Sequence, residues 1–402
     1  MTRHVRHAVG DGGEVLIQAC PACGSSDLDV FTEPTRLPTQ SCTLWPGRDT
    51  ALDCPRGTMS LALCGTCGLL VNVAFDPSLL DYDENYENSL HFSSLFQSYA
   101  RELGTDLIER HDLHEKVILE IGCGKGDFLR MMVELGDNRG IGVDPSYEED
   151  PAKAIDDRLT FVKGYYLEAD LQVSPDLVIA RQLLEHVDDP RSFLAHIREI
   201  LGDRSDSVVV FEVPNALDML RRADVWDVIY EHPVYYTPHA LERLLETAGF
   251  TVRDIRPVYE DLYLIIEASP SVGEVGDRPP VGHLLEPDVR RFAAAYEEKI
   301  DHWRATLLEI TAKRRRAVLW GAGARGDTFL NVLQIRDEIP LVVDINPRKW
   351  GRHMAGTGQP IHSPDVLVAQ PPDVVVIANG IYESEIADGL EKMGIDAEIL
   401  IA

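Results

Sequence analysis

Four of the seven cysteines form two C-x-x-C pairs, a spacing typical of metal-binding turns. They are Cys20, Cys23, Cys64 and Cys67. A glycine follows each pair and allows a tight turn whose main-chain N–H groups can face sulfur. Four thiolates are the donor set of a tetrahedral structural zinc site. The interval between the pairs exceeds that of a usual zinc ribbon, so four buried free thiols are the alternative. Cys42 and Cys54 fit neither pair and are assigned to the intervening loop.

A glycine-rich turn, G-C-G-K-G over residues 122–126, follows a hydrophobic segment at 117–121. Its glycines allow a ligand to approach the backbone closely, and the start of the following helix favours a polar or anionic group. Glu120 lies just before the turn, where a carboxylate can receive a ligand ammonium group through an ordered water. Asp144 ends the next predicted strand, in the position from which an acid can hold both hydroxyls of a ribose. The pattern predicts a nucleotide-like ligand.

Acid, base and aromatic side chains cluster at residues 230–236, with the sequence Y-E-H-P-V-Y-Y. The cluster follows a predicted strand at 207–213 and therefore lies on the ligand-binding side of an α/β sheet. Imidazole has an ordinary pKa close to neutrality, which makes His232 a candidate general base. Glu231 or a tyrosine can orient His232 or hold a substrate. The alternative is a surface-loop histidine with tyrosines that only pack.

A second glycine turn, G-A-G-A-R-G over residues 321–326, has the G-x-G-x-x-G spacing of dinucleotide-binding proteins. Asp344 follows at the distance expected for an acid that binds a ribose. Taken alone, the match predicts an NAD site. Arg325 and Asn331 are candidates for a phosphate or sugar contact, and the alternative is a surface arginine on a turn that only packs.

The elements that must position these groups alternate between strand and helix. Strands are predicted at 116–121, 140–144, 177–180 and 207–213, with one or two more within 251–268, and helices at 90–110, 126–134, 190–201 and 238–248. A second such unit begins with a strand at 317–320, after a long helix with an apolar stripe from Phe292 to Ile310. This alternation predicts an α/β fold with parallel sheets. The Pro- and Gly-rich segment 268–285 is interpreted as a linker.

Length and charge limit the classes of function. The 402 residues suffice for two to three domains, and 45% hydrophobic residues provide material for their cores. With 67 acidic and 38 basic residues, the formal net charge of −29 disfavours binding to nucleic acid or to acidic lipid surfaces. Residues 1–15 lack the apolar core of a signal peptide, and no apolar run is long enough to span a membrane. We therefore expect a cytoplasmic protein.

The motif E-I-G-C-G-x-G, the G-V-D that ends in Asp144, and the later stretch D-L-V-I-A-R-Q-L-L-E-H-V resemble class I methyltransferases, which use S-adenosylmethionine. The resemblance implies that the first glycine turn lines the methionine moiety, that Asp144 holds the ribose and that Gln182 borders the methionine end. Tyr165 or a neighbour is expected to cover the adenine. His186 belongs to the common signature and is expected to be structural. The expected cofactor-binding residues are Glu120, Gly122, Gly124, Gly126, Asp144 and Gln182.

The cysteine pairs, the E-H-x-x-Y of the central region and the C-terminal W-G-A-G resemble, over nearly the whole chain, the three-domain sugar C-methyltransferases. That family methylates nucleotide-activated 4-keto deoxysugars. The resemblance implies a zinc-binding module at 1–78 and a Rossmann-like methyltransferase domain at 79–268. It also implies a second Rossmann-like α/β domain at 269–402, which holds part of the substrate and carries no nicotinamide.

In that family the histidine of the E-H pair removes the proton beside the ketone, and the enolate carbon attacks the sulfonium methyl group. Carried onto this chain, His232 is the base, with Glu231, Tyr235 and Tyr86 as helpers. We expect a monomer whose partner is a small molecule, a nucleotide-linked sugar. The alternatives are a methyltransferase for a different small metabolite, an NAD-dependent enzyme that uses the second glycine turn, and a non-catalytic binding scaffold.

Overall fold

The structure, a computed structural model, describes residues 7–9, 15–32, 35–149, 156–169, 173–202, 204–271 and 278–402. Residues 1–6 and 10–14 of the N-terminal segment and residues 272–277 of the predicted linker lie outside the described part of the chain. Among the described helices, none is both long and apolar enough to cross a lipid bilayer.

The N-terminal region consists of short elements, as its many prolines indicate. Its described elements are β1 His7–Val9, β2 Val15–Ile17, β3 Leu28–Val30, β4 Thr35–Pro38, α1 Arg48–Leu52, β5 Arg56–Met59, β6 Leu61–Cys64 and β7 Leu70–Asn72. Strands β3, β6 and β7 form an antiparallel sheet, and the strand that completes it is Val234–Tyr235 from the central region. The sheet that carries Cys64 is therefore hydrogen-bonded to a distant part of the chain.

The central region is a sheet with helices on both faces. Its elements are α2 Ser94–His111, β8 Val117–Ile121, α3 Asp127–Gly136, β9 Arg139–Asp144, β10 Leu159–Lys163, β11 Leu177–Arg181, α4 Pro190–Leu201, β12 Val208–Pro214, α5 Ala216–Arg222, β13 Val234–Tyr235, α6 Pro238–Thr247, β14 Phe250–Val258 and β15 Tyr263–Pro270. Within the described residues, seven strands pair in the order β10-β9-β8-β11-β12-β15-β14. Successive residues of β11 point to opposite faces, so Ile179 shares a cluster with α2 and α3, whereas Val178 packs with α4 and α6.

The last two strands of this sheet depart from the predicted parallel arrangement. Strands β10, β9, β8, β11 and β12 are parallel, but β15 is antiparallel to β12 and β14 is antiparallel to β15. Consecutive strands joined by a short turn, without a crossover helix, pair antiparallel. Strand β15 also continues to Pro270, past the expected domain end at residue 268.

The C-terminal region begins with the long helix and repeats the α/β pattern. Its elements are α7 Glu286–Ala312, β16 Ala317–Trp320, α8 Ala324–Leu333, β17 Val342–Val343, β18 Ile361–His362, α9 Val366–Ala369, β19 Val374–Ile377, α10 Glu383–Lys392 and β20 Glu398–Ile401. The strands form a parallel sheet in the order β18-β17-β16-β19-β20. The apolar stripe of α7 is buried from Phe292 to Ile310, as predicted. The α/β fold with two Rossmann-like sheets is thereby confirmed.

An aromatic contact joins the central and C-terminal regions. The ring of Phe329 on α8 lies 4.9 Å from the ring of Trp226 and 5.0 Å from that of Trp303 on α7. Trp226 precedes the cluster at 230–236, and all three rings are buried. This packing holds the second glycine turn, which leads into α8, opposite that cluster.

Candidate active site

The sulfur atoms of the four predicted metal ligands lie together. The Cys20 Sγ is 3.6 Å from the Cys67 Sγ, and the Cys23 Sγ is 3.6 Å from the Cys64 Sγ. All four atoms lie within 4.8 Å of one another. Sulfur atoms at the corners of a tetrahedron with Zn–S bonds of about 2.3 Å are about 3.8 Å apart. The cluster therefore has the donor set and the spacing of a four-thiolate zinc site. Cys42 and Cys54 are buried thiols outside this group.

The glycine after each cysteine pair has the left-handed backbone that a tight turn requires. The φ angle is 76° at Gly24 and 78° at Gly68. The N–H groups of these glycines donate to the carbonyl oxygens of Cys20 and Cys64, at 2.8 and 2.9 Å. Residues with a Cβ atom rarely adopt this conformation, so both predicted turns depend on glycine.

A cavity of about 580 Å³ opens at the carboxyl ends of β8, β9 and β11. The parallel strands bring Gly122, Gly124, Asp144 and Gln182 to this edge of the sheet. Gly126 does not line the cavity; a Cβ atom there would meet the Phe161 ring at 2.5 Å. Glu120 also lines the cavity and is buried, and its Oε2 atom has no hydrogen-bond partner among the described residues. Burial raises the pKa of this carboxyl to about 8. A ligand ammonium group, bound directly or through water, would satisfy such an oxygen.

Gly124 and Asp144 together form a cradle for a ligand. A Cβ atom added at Gly124 would meet no heavy atom of the described residues within 4 Å and would occupy space in the cavity. The Gly124 N–H donates a 2.8 Å hydrogen bond to the Asp144 Oδ2, and the Oδ1 accepts from the Ser146 N–H at 2.7 Å. The Oδ1 also accepts from the Ser146 hydroxyl at 2.7 Å, whereas the Oδ2 retains a second acceptor site. The residues present therefore fit a ligand that carries an amine and a ribose.

Gln182 and Tyr165 border the same cavity. The Gln182 Nε2 donates to the Glu212 Oε1 at 3.2 Å, which fixes the side chain just past the end of β11. Gln182 lines this cavity and also the second cavity described next. Tyr165 lies at the rim with 45% of its surface exposed, so its ring is free to stack on a planar group.

A second cavity, also of about 580 Å³, lies between the central sheet and the C-terminal sheet. It is lined by Glu231, His232 and Tyr235 and, from the other side, by the second glycine turn. The residues that line both cavities are Tyr86, Asn88, Ser89, Leu90, Gln182 and His186. The two cavities therefore adjoin, and a ligand in one lies next to a ligand in the other.

His232 is buried beside the second cavity, and 8% of its surface is exposed. Its Nδ1 atom has no hydrogen-bond partner among the described residues. Burial, and to a lesser extent the neighbouring His186, hold the pKa of the His232 imidazole well below its usual range. The ring is therefore neutral at physiological pH, the protonation state from which a general base starts.

Glu231 accepts hydrogen bonds from two other segments of the chain. The Tyr86 hydroxyl donates to its Oε2 at 2.6 Å, and the Ser41 N–H donates to its Oε1 at 2.5 Å. Burial raises the pKa of the Glu231 carboxyl to about 7, although both donors act in the opposite direction. The structure thus brings together Tyr86 and Glu231, and it commits this carboxyl to those two donors.

Tyr235 is held through its hydroxyl group. The hydroxyl accepts from the Ile229 N–H at 2.8 Å and donates to the Ile229 carbonyl oxygen at 2.9 Å. The ring centre lies 5.7 Å from that of His232. These bonds close the loop that carries His232, and the Tyr235 hydroxyl has both a donor and an acceptor within that loop.

His186 lies beside His232, a contact that sequence analysis did not indicate. Its ring centre is 4.7 Å from that of His232, with the two planes nearly perpendicular, and its Nδ1 atom is 3.0 Å from the Tyr82 hydroxyl. Burial lowers the pKa of the His186 imidazole to about 4. The feature of the sequence that could have indicated this position is the short distance of His186 from Gln182, which follows the carboxyl end of β11.

The segment 82–93, here called the strap, borders both cavities and is held at two points by the C-terminal region. The Asn346 Nδ2 donates to the Glu87 Oε1 at 3.0 Å. Near the other end, the Ser93 Oγ donates to the Glu385 Oε2 at 2.6 Å. The strap therefore connects the first cavity to the C-terminal sheet.

The second glycine turn repeats the hydrogen bonds of the first. The Asp344 Oδ2 accepts from the Ala322 N–H at 2.7 Å, and its Oδ1 accepts from the Asn346 N–H at 2.8 Å, the pattern seen at Asp144. A Cβ atom added at Gly323 would meet no heavy atom of the described residues within 4 Å. The turn is thus open toward the second cavity.

The two polar residues expected to contact a ligand beside this turn have other partners. Arg325 lines the second cavity, but its Nη2 atom is 2.5 Å from the Asp227 Oδ2. Asn331 is buried, its Oδ1 accepts from the Arg56 Nη2 at 2.8 Å, and its amide nitrogen donates to the Asp327 carbonyl oxygen at 2.9 Å. The expectation of a ligand contact is therefore wrong for Asn331, because its amide group links α8 to the N-terminal region.

Comparison with known proteins agrees with this arrangement. Residues 93–255 match a family model described as a methyltransferase domain, and residues 285–399 match the C-methyltransferase C-terminal domain. The chain is 25% identical over 397 residues to the C-methyltransferase NovU of Streptomyces niveus, which covers 92% of each protein. It is also 32% identical over 98 residues to the mitochondrial ubiquinone biosynthesis O-methyltransferase of Schizosaccharomyces pombe, which covers 23% of this chain and 36% of that protein.

A similar solved structure is the Burkholderia thailandensis 1,6-didemethyltoxoflavin-N1-methyltransferase, with 22% identity, a TM-score of 0.36, and coverage of 50% of this chain and 96% of that one. The two family models and the full-length relative carry the assignment. The chain is an S-adenosylmethionine-dependent methyltransferase in which a methyltransferase domain is followed by a C-methyltransferase C-terminal domain.

Proposed function

We propose that this enzyme methylates a carbon atom next to a ketone, on a nucleotide-linked 4-keto deoxysugar. The observation that carries the proposal is the junction of the two cavities. His232 lines the second cavity, and Tyr86, Gln182 and His186 line both. A substrate in the second cavity therefore has a buried neutral base on one side and the cofactor cavity on the other.

The first cavity has the groups needed to hold S-adenosylmethionine. Glu120 would receive the ammonium group, Asp144 would accept from the ribose hydroxyls, and Tyr165 would stack on the adenine. The turn at Gly124 leaves room for the methionine end, which Gln182 borders. When bound, the cofactor supplies an electrophilic methyl group to a nucleophilic carbon.

A carbon atom becomes nucleophilic only after it loses a proton, and this is the role proposed for His232. The imidazole takes the proton from the carbon beside the ketone, and the electron pair of that C–H bond passes into the enolate, whose negative charge rests on the ketone oxygen. A neutral imidazole is required at the start, and burial of His232 supports that state. Glu231, Tyr86 and Tyr235 position the loop that carries the base.

The nucleotide portion of the substrate is assigned to the second glycine turn. Gly323 precedes α8 without a side-chain cap, so the first N–H groups of this ten-residue helix are available to an anion. Gly323 and Arg325 both line the cavity. A diphosphate beside this turn would place the attached sugar toward His232.

The cysteine cluster is assigned to a structural zinc ion. The sulfur atoms of Cys20 and Cys67 are 3.6 Å apart, as are those of Cys23 and Cys64, and this spacing matches a closed tetrahedral site. The N–H of Asn72, the last residue of β7, donates to the carbonyl oxygen of Pro233, the residue before β13, at 2.9 Å. The proposed zinc site thus supports the segment that immediately follows His232.

The function is tested by isotope exchange. The enzyme is incubated in deuterated water with S-adenosylhomocysteine and thymidine-diphosphate-4-keto-6-deoxyglucose as the probe. Deuterium should enter at a carbon beside the ketone, and His232→Asn should abolish this exchange, whereas the exposed His302→Asn should not. With S-adenosylmethionine, the new methyl group should be bonded to carbon. A methyl group on oxygen or nitrogen would contradict the proposal and favour a different small metabolite as substrate.

A further inference from the structure

Two buried polar atoms at the second cavity have no hydrogen-bond partner among the described residues. They are the Oε2 of Glu185 and the Nδ1 of His232, on residues that are 2% and 8% exposed. A buried polar atom left without a partner costs about 1–3 kcal/mol, so two of them at one site require an explanation.

The two residues lie close enough to share a contact. A carboxyl oxygen of Glu185 and one ring nitrogen of each of His186 and His232 lie within 4.8 Å of one another. A single water with two hydrogen bonds of about 2.8 Å spans such a gap. A small rotation of either side chain would also make the contact direct.

The carboxyl group next to His232 in sequence is not available for this contact. Glu231 already accepts from the Ser41 N–H and the Tyr86 hydroxyl. The other ionisable groups that act on Glu185 and its surroundings are Glu212, Tyr82 and Tyr236, besides the two histidines. Glu212 is paired with Arg181. Glu185 is therefore the carboxyl group left to serve the base.

We propose that Glu185 is a positioning residue: its carboxyl group accepts a hydrogen bond, direct or through one water, from the Nδ1–H of His232. This fixes the tautomer in which Nε2 faces the cavity without a proton and is able to accept one. The assignment rests on the proposed function of His232 as the base, and it adds the carboxyl group that holds the imidazole in the reactive tautomer. The same arrangement of carboxyl group, imidazole and proton donor serves other histidine bases.

The tautomer of His232 tests the assignment without any substrate. In protein labelled with ¹⁵N-histidine, the His232 signals are identified by their loss in His232→Asn, and two-bond ¹H–¹⁵N correlations report which nitrogen carries hydrogen. The Nδ1–H form is expected in the wild-type protein. Glu185→Leu should shift the population toward Nε2–H, and Glu185→Gln, whose amide oxygen still accepts, should retain most of the wild-type form.

Activity provides a second readout. Deuterium exchange should fall about 10- to 100-fold in Glu185→Leu through kcat, with KM little changed, and should be largely recovered in Glu185→Gln. Glu267→Gln is the matched control, because Glu267 is a carboxyl buried to the same degree that pairs with Arg110 and Arg256. It should leave both the His232 signals and the exchange unchanged.

Three outcomes would overturn the assignment: an Nε2–H tautomer in the wild-type protein, identical His232 signals in Glu185→Leu, or loss of a second bound metal ion from Glu185→Gln. The last would instead identify Glu185, His186 and His232 as metal ligands. If the wild-type enzyme exchanges no substrate proton, the proposed function fails, whereas the tautomer measurement still decides the role of Glu185.

Discussion

The Tyr86 hydroxyl and the Glu231 carboxylate are joined by a 2.6 Å hydrogen bond between residues far apart in sequence. The other oxygen of this carboxylate accepts from the Ser41 N–H. One carboxyl group thus connects the N-terminal region, the strap and the loop of the proposed base.

The pH dependence of stability should reveal this buried carboxyl. Its pKa is raised from 4.5 to about 7, so the folded protein keeps a proton that the unfolded chain has released. The free energy of unfolding therefore falls as pH rises between these values. Glu231→Gln cannot lose a proton, so its Tm relative to the wild-type protein should rise between about pH 5 and about pH 8. Glu383→Gln, on an exposed surface, is the control, and a flat difference for Glu231→Gln would contradict the assigned pKa.

Zinc removal should disable the base more than the cofactor site. We expect one zinc ion per chain, lost in Cys64→Ser, because four thiolates close the site. Since β7 pairs with β13, exchange that depends on His232 should disappear. Metal analysis, calorimetry and isotope exchange measure the three effects, and calorimetry should find that affinity for S-adenosylhomocysteine changes less. Fully active protein without metal would exclude the zinc site.

The two aspartates of the glycine turns should differ in their ligands. Asp144→Ala should weaken S-adenosylmethionine binding by about 1.5–3 kcal/mol, through the loss of hydrogen bonds to a charged group. Asp344→Ala removes the same pattern of bonds from the second turn and should leave that affinity unchanged. Titration calorimetry distinguishes them. Equal effects of the two substitutions, or NAD binding that Asp344→Ala abolishes, would contradict the assignment.

Substitution of the proposed base should separate chemistry from binding. His232→Ala should reduce turnover by about 10²- to 10⁴-fold, the contribution of a general base, while cofactor affinity stays nearly intact. His232 does not line the cofactor cavity, which explains the expected separation. Steady-state kinetics and calorimetry on the same samples provide the measurement. A variant that keeps wild-type turnover would remove His232 from the mechanism.

Release of the strap should accelerate ligand exchange. Glu385 accepts hydrogen bonds from the Ser93 and Ser94 hydroxyls and from the Ser94 N–H at the start of α2. Glu385→Ala removes all three, so the dissociation rate of S-adenosylhomocysteine should rise in stopped-flow experiments. Glu383→Ala, at the start of the same helix, is the control. An unchanged rate in Glu385→Ala would mean that the strap does not limit ligand release.

Sequence alone predicted the elements whose burial leaves a continuous or periodic apolar pattern. The run at 117–121 and the stripe on α7 are recognisable because continuous or periodic apolar residues follow from burial. Strand β10 escaped prediction because its side chains are mostly half-exposed at the sheet edge. One or two strands were predicted within 251–268, but their antiparallel pairing was not. No feature of the sequence marked the absence of a crossover helix between β14 and β15.

The site was predictable where chemistry depends on local spacing, as in the cysteine pairs and the first glycine turn. It was not predictable where partners lie far apart in sequence. No pattern around Ser41 indicates that its N–H binds Glu231, and nothing in the signature around His186 indicates a ring 4.7 Å from that of His232. Such contacts follow from the packing of whole regions, not from periodicity.

The pairing of β13 with β7 also constrains the order in which the chain can assemble during synthesis. The ribosome delivers Leu70–Asn72 long before Val234–Tyr235, so the N-terminal sheet waits for its last strand until more than half of the polypeptide has emerged. Until then, β7 presents an unpaired edge that other nascent chains can join. A truncated chain that ends before residue 234 should therefore aggregate, even with all four cysteines present.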